Sequence, residues 1–176
     1  IEARIDGSGT SLSFMSSGDV SCGIYGIEAR NDGTGDTTIN AASTNGTAQV
    51  TGGRDGLIAE NRNGGALSIT ADSVSGSARD GIFGYNDADG TSLAVQTYRA
   101  VAGAIDGIYV YNYGSGDLSV SASNAYGTAS VTGQALGIYA NNENGGALSV
   151  TANIANTITW YVDLDGDQVA SGTVSS

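Results

Sequence analysis

Residues Gly137–Ala152 read GIYANNENGGALSVTA, and the same sixteen-residue phrase occurs four more times upstream. It returns as GIEARNDGTGDTTINA from Gly26, GLIAENRNGGALSITA from Gly56, GIFGYNDADGTSLAVQT from Gly81 and GIYVYNYGSGDLSVSA from Gly107. A sixth copy, without the leading glycine, opens the chain as IEARIDGSGT. Successive copies lie 26, 30, 25, 26 and 30 residues apart. Self-similarity at such a period marks a solenoid, in which each repeat is one unit stacked on the last.

Within each copy the residues after the glycine alternate. Ile27, Leu57, Ile82, Ile108 and Ile138 take the first position, and Ala29, Ala59, Gly84, Val110 and Ala140 the third. A period of two with one apolar face predicts a half-buried strand. The fifth position is asparagine throughout: Asn31, Asn61, Asn86, Asn112 and Asn142. Stacked copies would align these amides as a ladder, each bonded to the next copy and to turn backbone, because an unpaired buried amide costs about 1–3 kcal/mol.

A glycine-rich turn follows, with glycines expected to supply positive φ. A second strand then alternates through Leu67, Ile69 and Ala71, matched by Leu118, Val120 and Ala122 and by Leu148, Val150 and Ala152. The copy from Gly81 has one extra turn residue, which moves this strand to Leu93 and Val95. A third short strand is marked by Val20, Val50, Val74, Val101 and Val131, just ahead of each leading glycine. Both 30-residue repeats carry their additions in one corner, after Ala41 and after Ala122, which leaves the strand registers intact. The expected fold is all-β: a right-handed parallel β-helix of about six rungs with three short strands each, on the order of 29 Å long at ~4.8 Å per rung. Residues 1–156 form the repeat domain and 157–176 a C-terminal segment of another kind.

The bulk composition agrees. The chain has 176 residues, 28 glycines, no proline and 40% apolar residues, too hydrophobic for a disordered linker and too glycine-rich for helices. Six arginines, with no lysine or histidine, against eighteen acids give a net charge of -12, which disfavours nucleic acid and anionic membranes as partners. No run of about 18 apolar residues suggests membrane insertion. Ile1–Arg4 is already repeat sequence rather than a signal peptide, so the chain reads as a slice of something longer. Cys22 is the only cysteine, which excludes an intrachain disulfide; between Val20 and Ile24 it is expected to be a small buried hydrophobe.

Tandem GI(Y/F)xxNxxGGxLSVTA copies joined by VxGxxxG segments resemble the β-helical passenger domains of bacterial autotransporters and related large surface adhesins, over residues 1 to about 155. The resemblance implies a pectin-lyase-like β-helix at the bacterial cell surface or outside the cell. It further implies a stalk or adhesive role, with enzymatic modules in a few relatives.

Absence of histidine removes imidazole-based triads and metal sites, which leaves carboxylates as the candidates for chemistry. Asp55, Asp80 and Asp106 each precede a leading glycine and should stack on one edge, with Arg54 and Arg79 beside the first two. Paired acids can hydrolyse glycosides, so a polysaccharide-degrading β-helix enzyme is one alternative. The expectation adopted is that these acids are solvated turn residues, since catalysis wants one acid raised in an apolar cleft. NDGTGD and NDADG recur once per rung rather than every nine residues, and read as ordinary turns rather than a calcium β-roll.

Outward positions of the first strand are more telling. Positions two and four place Phe83, Tyr85, Tyr109, Tyr111 and Tyr139 on one sheet face over three successive rungs. Such rings suit stacking on a glycan or anchoring a host or neighbouring cell-surface protein; their other role is to stabilise the sheet by about 0.2–1 kcal/mol per cross-strand pair.

From Thr157 the repeat gives way to TITWYVDLDGDQVASGTVSS, with the only tryptophan of the chain. WYVDLDGDQVASG resembles the WYxDxDGDGxG element of metal-binding repeats in bacterial surface proteins and is similar to thrombospondin type 3 calcium loops. The likeness implies Asp163, Asp165 and Asp167 as calcium ligands, with Gln168 and Ala170 departing from the pattern. Trp160 and Tyr161 would alternatively cap the last rung. With neither end capped by polar sequence, end-to-end self-association into filaments is a further expectation.

Overall fold

The computed structural model describes residues 1–123, 125, 126 and 130–152 in full, and the backbone of 158–163 and 169–174. The described chain contains no helix, and so none long and apolar enough to cross a membrane. It coils through six turns. The first is β1 (Glu2–Ile5), β2 (Leu12–Met15) and β3 (Val20–Cys22); the second β4 (Tyr25–Asn31), β5 (Thr37–Ala41) and β6 (Gln49–Gly52). The third is β7 (Asp55–Asn61), β8 (Gly65–Ala71) and β9 (Ser73–Gly76); the fourth β10 (Ile82–Asn86), β11 (Gly90–Thr97) and β12 (Val101–Gly103). The fifth is β13 (Asp106–Asn112), β14 (Leu118–Ala122) and β15 (Val131–Thr132), and the sixth begins with β16 (Leu136–Asn142) and β17 (Leu148–Ala152). Corresponding strands pair in parallel to build three sheets, a β-solenoid of the expected three-strand rung.

Registers match the repeat residue for residue. In the first sheet, here sheet A, Ile82 pairs with Leu57 on one side and Ile108 on the other, and Ile108 with Ile138. The aliphatic column Ile27, Leu57, Ile82, Ile108 and Ile138 is fully buried. Beside it, Gly84 lies opposite Val110, and a Cβ on Gly84 would come within 3.0 Å of a Val110 methyl, so the missing side chain of one turn makes room for the larger one of the next. Sheet B stacks Leu67, Leu93 and Leu118, and sheet C stacks Val50, Val74, Val101 and Val131. The extra residue of the fourth turn is absorbed as a bulge between Gly90 and Leu93, after which Leu93 is back opposite Leu67.

The glycine expectation needs correcting. Positive φ occurs only at Gly46, Gly64 and Gly65 among the described residues. The leading glycines are required by close approach instead. A Cβ at Gly56 would sit 2.5 Å from a Val74 methyl and 2.7 Å from Gly81 O, and one at Gly81 2.6 Å from Gly107 O and 2.8 Å from a Val101 methyl.

The asparagine ladder is present and buried. Asn61 Nδ2 donates to Asn86 Oδ1 at 3.1 Å, Asn86 to Asn112 at 2.8 Å, and Asn112 to Asn142 at 2.8 Å. The same amides donate to turn carbonyls, Asn86 to Ser92 and Asn112 to Gly116 among them. The Asn31 side chain bonds within its own turn, and Thr37 supplies the hydroxyl that Asn61 Oδ1 accepts, at 3.0 Å.

Cys22 is exposed, contrary to expectation. It ends β3, an edge strand of sheet C, opposite Gly52, on the column where the buried turns carry only glycine.

The two long corners meet. Asp72, fully buried, accepts from Ser43 N at 2.8 Å, Ser43 Oγ at 3.0 Å and Ala48 N at 3.1 Å, fixing the second turn's extra loop. Gly46 at its tip abuts the Tyr126 ring of the fifth turn, which packs edge-on against Tyr98 at 5.8 Å between centroids.

Beyond β17, β18 (Ile158–Asp163) adds to sheet A in parallel with β16, with Trp160 at the register position of Ile138. β19 (Val169–Val174) then returns antiparallel, so the repeat sequence ends before the sheet does.

Replacing Asn86 by Leu removes the ladder's central donor and acceptor. At a cost of about 1–3 kcal/mol it should lower Tm by about 5 °C. Asn141→Leu, on the half-buried outer row, should lower it by no more than about 1 °C; equal thermal unfolding curves would discount the ladder.

Candidate functional site

Three outward rows cross sheet A. Parallel pairing aligns Glu28, Ile58, Phe83, Tyr109 and Tyr139 in one, and Arg30, Glu60, Tyr85, Tyr111 and Asn141 in the next. The third lies just past the asparagines: Arg62, Asp87, Tyr113 and Glu143 each donate their backbone N–H to the asparagine of the preceding turn. All five sequence-predicted aromatic residues are thereby brought together, half-buried against one another. Tyr113 joins them unforeseen, because it follows the asparagine and reads as turn. The alternation of outward positions two and four, carried on to six, would have found it.

How the rings lie decides what they can do. Tyr109 and Tyr139 have centroids 4.7 Å apart and planes 29° apart; Phe83 and Tyr109 are at 6.2 Å and 24°, and Tyr111 and Tyr113 at 5.8 Å and 8°. Near-parallel rings at 4.7 Å are stacked with an offset, whereas Tyr109 meets Tyr111 edge-on at 5.1 Å and 85°, so stacked and edge-on contacts alternate through the cluster. Inside the cluster the rings are half-buried against one another. Tyr109 and Tyr111 share a hydrogen bond of 2.5 Å between hydroxyls. Burial, then hydrogen bonds with Tyr109 and Tyr139, drives the Tyr111 hydroxyl far above its ordinary value. Burial, followed by the nearby carboxylates Asp87 and Glu143 respectively, raises Tyr85 and Tyr113. These phenols stay protonated, a patch of neutral hydroxyl donors and acceptors.

Towards the N-terminus the same face becomes ionic. Arg30 bonds Glu28 at 2.9 Å and lies 3.5 Å from Glu60 Oε2, and Arg62 reaches that oxygen at 2.5 Å. Glu60 is only 9% exposed. Where the ionic and aromatic parts meet, Glu60, Arg62, Phe83, Tyr85 and Asp87 line an open cleft of about 370 Å³.

Asp55, Asp80 and Asp106 are not the solvated turn residues expected. They are 1%, 2% and 7% exposed. At this corner the chain passes from sheet C to sheet A, and the carboxylates serve as acceptors from one turn to the next. Asp55 Oδ1 accepts from Asp80 N at 3.2 Å, Asp80 Oδ1 from Asp106 N at 3.3 Å, and Asp106 Oδ1 from Leu136 N at 2.9 Å. Arg79 lies 3.7 Å from Asp80. Burial raises the carboxyls of Asp80 and Asp106, with Arg79 opposing it.

Of the sequence-predicted calcium ligands, Asp163 ends β18 opposite Val169 of β19, while Asp165 and Asp167 lie outside the described residues. Among the described residues no group of three or more acids or thiols is gathered that could hold a metal. No protein-family model, curated protein or solved structure matches the chain.

Because the folded state holds the Asp80 proton more tightly than the unfolded chain does, the stability this group contributes is complete below the ordinary carboxylate range and is lost as pH rises through its raised folded value. Asp80→Asn keeps the acceptor for Asp106 N–H without the charge. The variant should be at least as stable as the parent at neutral pH, and its Tm should fall less than the parent's between about pH 4 and about pH 7. A steeper fall in the variant would contradict the burial-driven shift.

Proposed function

We propose that the solenoid is a non-catalytic stalk or adhesin module of a bacterial surface or secreted protein. It works outside the cell and makes its contacts through the aromatic face of sheet A. The partner is a glycan or a protein on a host or neighbouring cell. The observation that carries this is the convergence of six aromatic rings from three successive turns on one side of a rigid coil. Aromatic groups with a polar tip give much contact area at small entropic cost.

Against catalysis stands the use of the stacked acids Asp55, Asp80 and Asp106 as backbone acceptors in the wall of the coil. A filament-forming role is supported less, because β19 turns back antiparallel where a stacked copy would continue sheet A in parallel. The triple variant Tyr109→Ser, Tyr111→Ser, Tyr139→Ser, checked for folding by circular dichroism, should lose at least tenfold in binding to cells or to an arrayed glycan panel. Binding equal to the parent's would refute the aromatic contact face.

Calcium at the C-terminal segment is a second element of this reading, supported by the antiparallel pairing of β18 with β19, which puts Asp163 at the end of β18, next in sequence to residues 164–168 with Asp165 and Asp167. Three carboxylates close together would supply the hard oxygen ligands that calcium takes. Calcium should then raise the parent's Tm, and the variant with Asp163, Asp165 and Asp167 all changed to Asn should show no such rise; identical responses would remove the site.

A further inference from the structure

Within the aromatic cluster the rings pack on one another, Phe83 on Tyr109, Tyr109 on Tyr139 and Tyr111 on Tyr113. The run of aromatic neighbours ends at the fourth turn. There the register partner of Phe83 is Ile58, and that of Tyr85 is Glu60, so the last two rings face a turn that carries no aromatic residue. The cleft lies at this step, with Phe83 and Tyr85 on one side and Glu60, Arg62 and Asp87 around it.

Resting on the adhesive reading above, we infer that this cleft is the glycan subsite of the face and takes an uncharged pyranose unit, its apolar C–H face against Phe83 and Tyr85 and its hydroxyls between Arg62 and Asp87. The polar groups have unequal freedom. Glu60 is buried and committed to Arg30 and Arg62, so it holds Arg62 in place rather than offering itself. Arg62 has two-fifths of its side chain exposed and keeps N–H donors for a ligand. Asp87, half-buried across the cleft, accepts only the adjacent Ala88 N–H through Oδ1. One donor and one acceptor flanking an aromatic wall match adjacent hydroxyls on a sugar, each of which both donates and accepts. The volume of about 370 Å³ is of the size that small-ligand sites occupy. An acidic sugar fits less well: Arg62 is already neutralised by Glu60, Asp87 stands opposite, and the chain carries a net charge of -12.

Titration calorimetry of the whole chain with neutral tetrasaccharides of glucose, mannose and galactose, and with tetragalacturonate as the charged counterpart, tests this. At least one neutral tetrasaccharide should bind, and Arg62→Gln and Asp87→Ala should each weaken it tenfold or more. Met15→Ser, exposed on the edge strand β2 of sheet B and away from this face, should change it by no more than twofold. Asp87→Ala leaves the Glu60 ion pairs in place, and unchanged thermal unfolding shows that its effect is local. Binding that survives both cleft variants but is lost in Tyr139→Ser overturns the subsite while leaving the aromatic face as the contact surface. Binding of tetragalacturonate alone overturns the assignment to uncharged sugars. If no tetrasaccharide binds, the subsite falls, and the cell-binding assay of the tyrosine triple variant then decides separately whether the adhesive reading stands.

Discussion

Each turn crosses the next at a glycine with no space for a Cβ. At Gly26, Gly56, Gly81 and Gly107 the adjoining turn's glycine carbonyl and a sheet C valine methyl occupy the volume that a side chain would need. This contact sets how closely sheets C and A approach at their shared corner. It thereby places the isoleucine or leucine one residue later in the interior and the residue after that on the outer face. Outward rows are straight because the inner crossing is tight. The aromatic cluster is a consequence of that registry as much as of its own ring contacts.

A coil of this kind breaks its sheet hydrogen bonding at every corner, and the chain repairs the breaks with short side chains. Asparagine amides close one corner, and the aspartates ahead of the leading glycines close another. The same device recurs at the exposed turns, where Asp36 Oδ1 accepts Ala66 N and Asp117 Oδ1 accepts Ala147 N, both at 2.8 Å, and Asp19 takes Gln49 N at 3.0 Å. Much of the acidic excess therefore works as backbone acceptors reaching from one turn to another. An aspartate suits the task because it offers acceptors only, on a stem short enough to stay in the wall.

Period, strand positions, column composition and the asparagine ladder were all legible in the sequence, because each depends on like residues lying above like residues. What escaped it were effects across a corner or along a row. Asp80 looks like any turn acid until the neighbouring turn's N–H is seen to need it. Cys22 looks like core until it is placed on the column that admits only glycine in the middle turns. The five outward aromatic residues were legible as a set, but the close stacking of Tyr109 on Tyr139 was not. Nor was the ionic neighbour at Glu60 and Arg62, since an alternation marks which side a residue takes and not how its side chain turns there.

Stacked repeats ordinarily interact only with their nearest neighbours and can peel from an end one at a time. Here the loop that Asp72 secures on the second turn reaches over the third and fourth to set Gly46 against Tyr126 of the fifth. The bracket ties four consecutive coils along one side, so that loosening any of them strains the clasp. The aromatic step and its cleft, on the fourth turn, fall within the stretch that this contact spans.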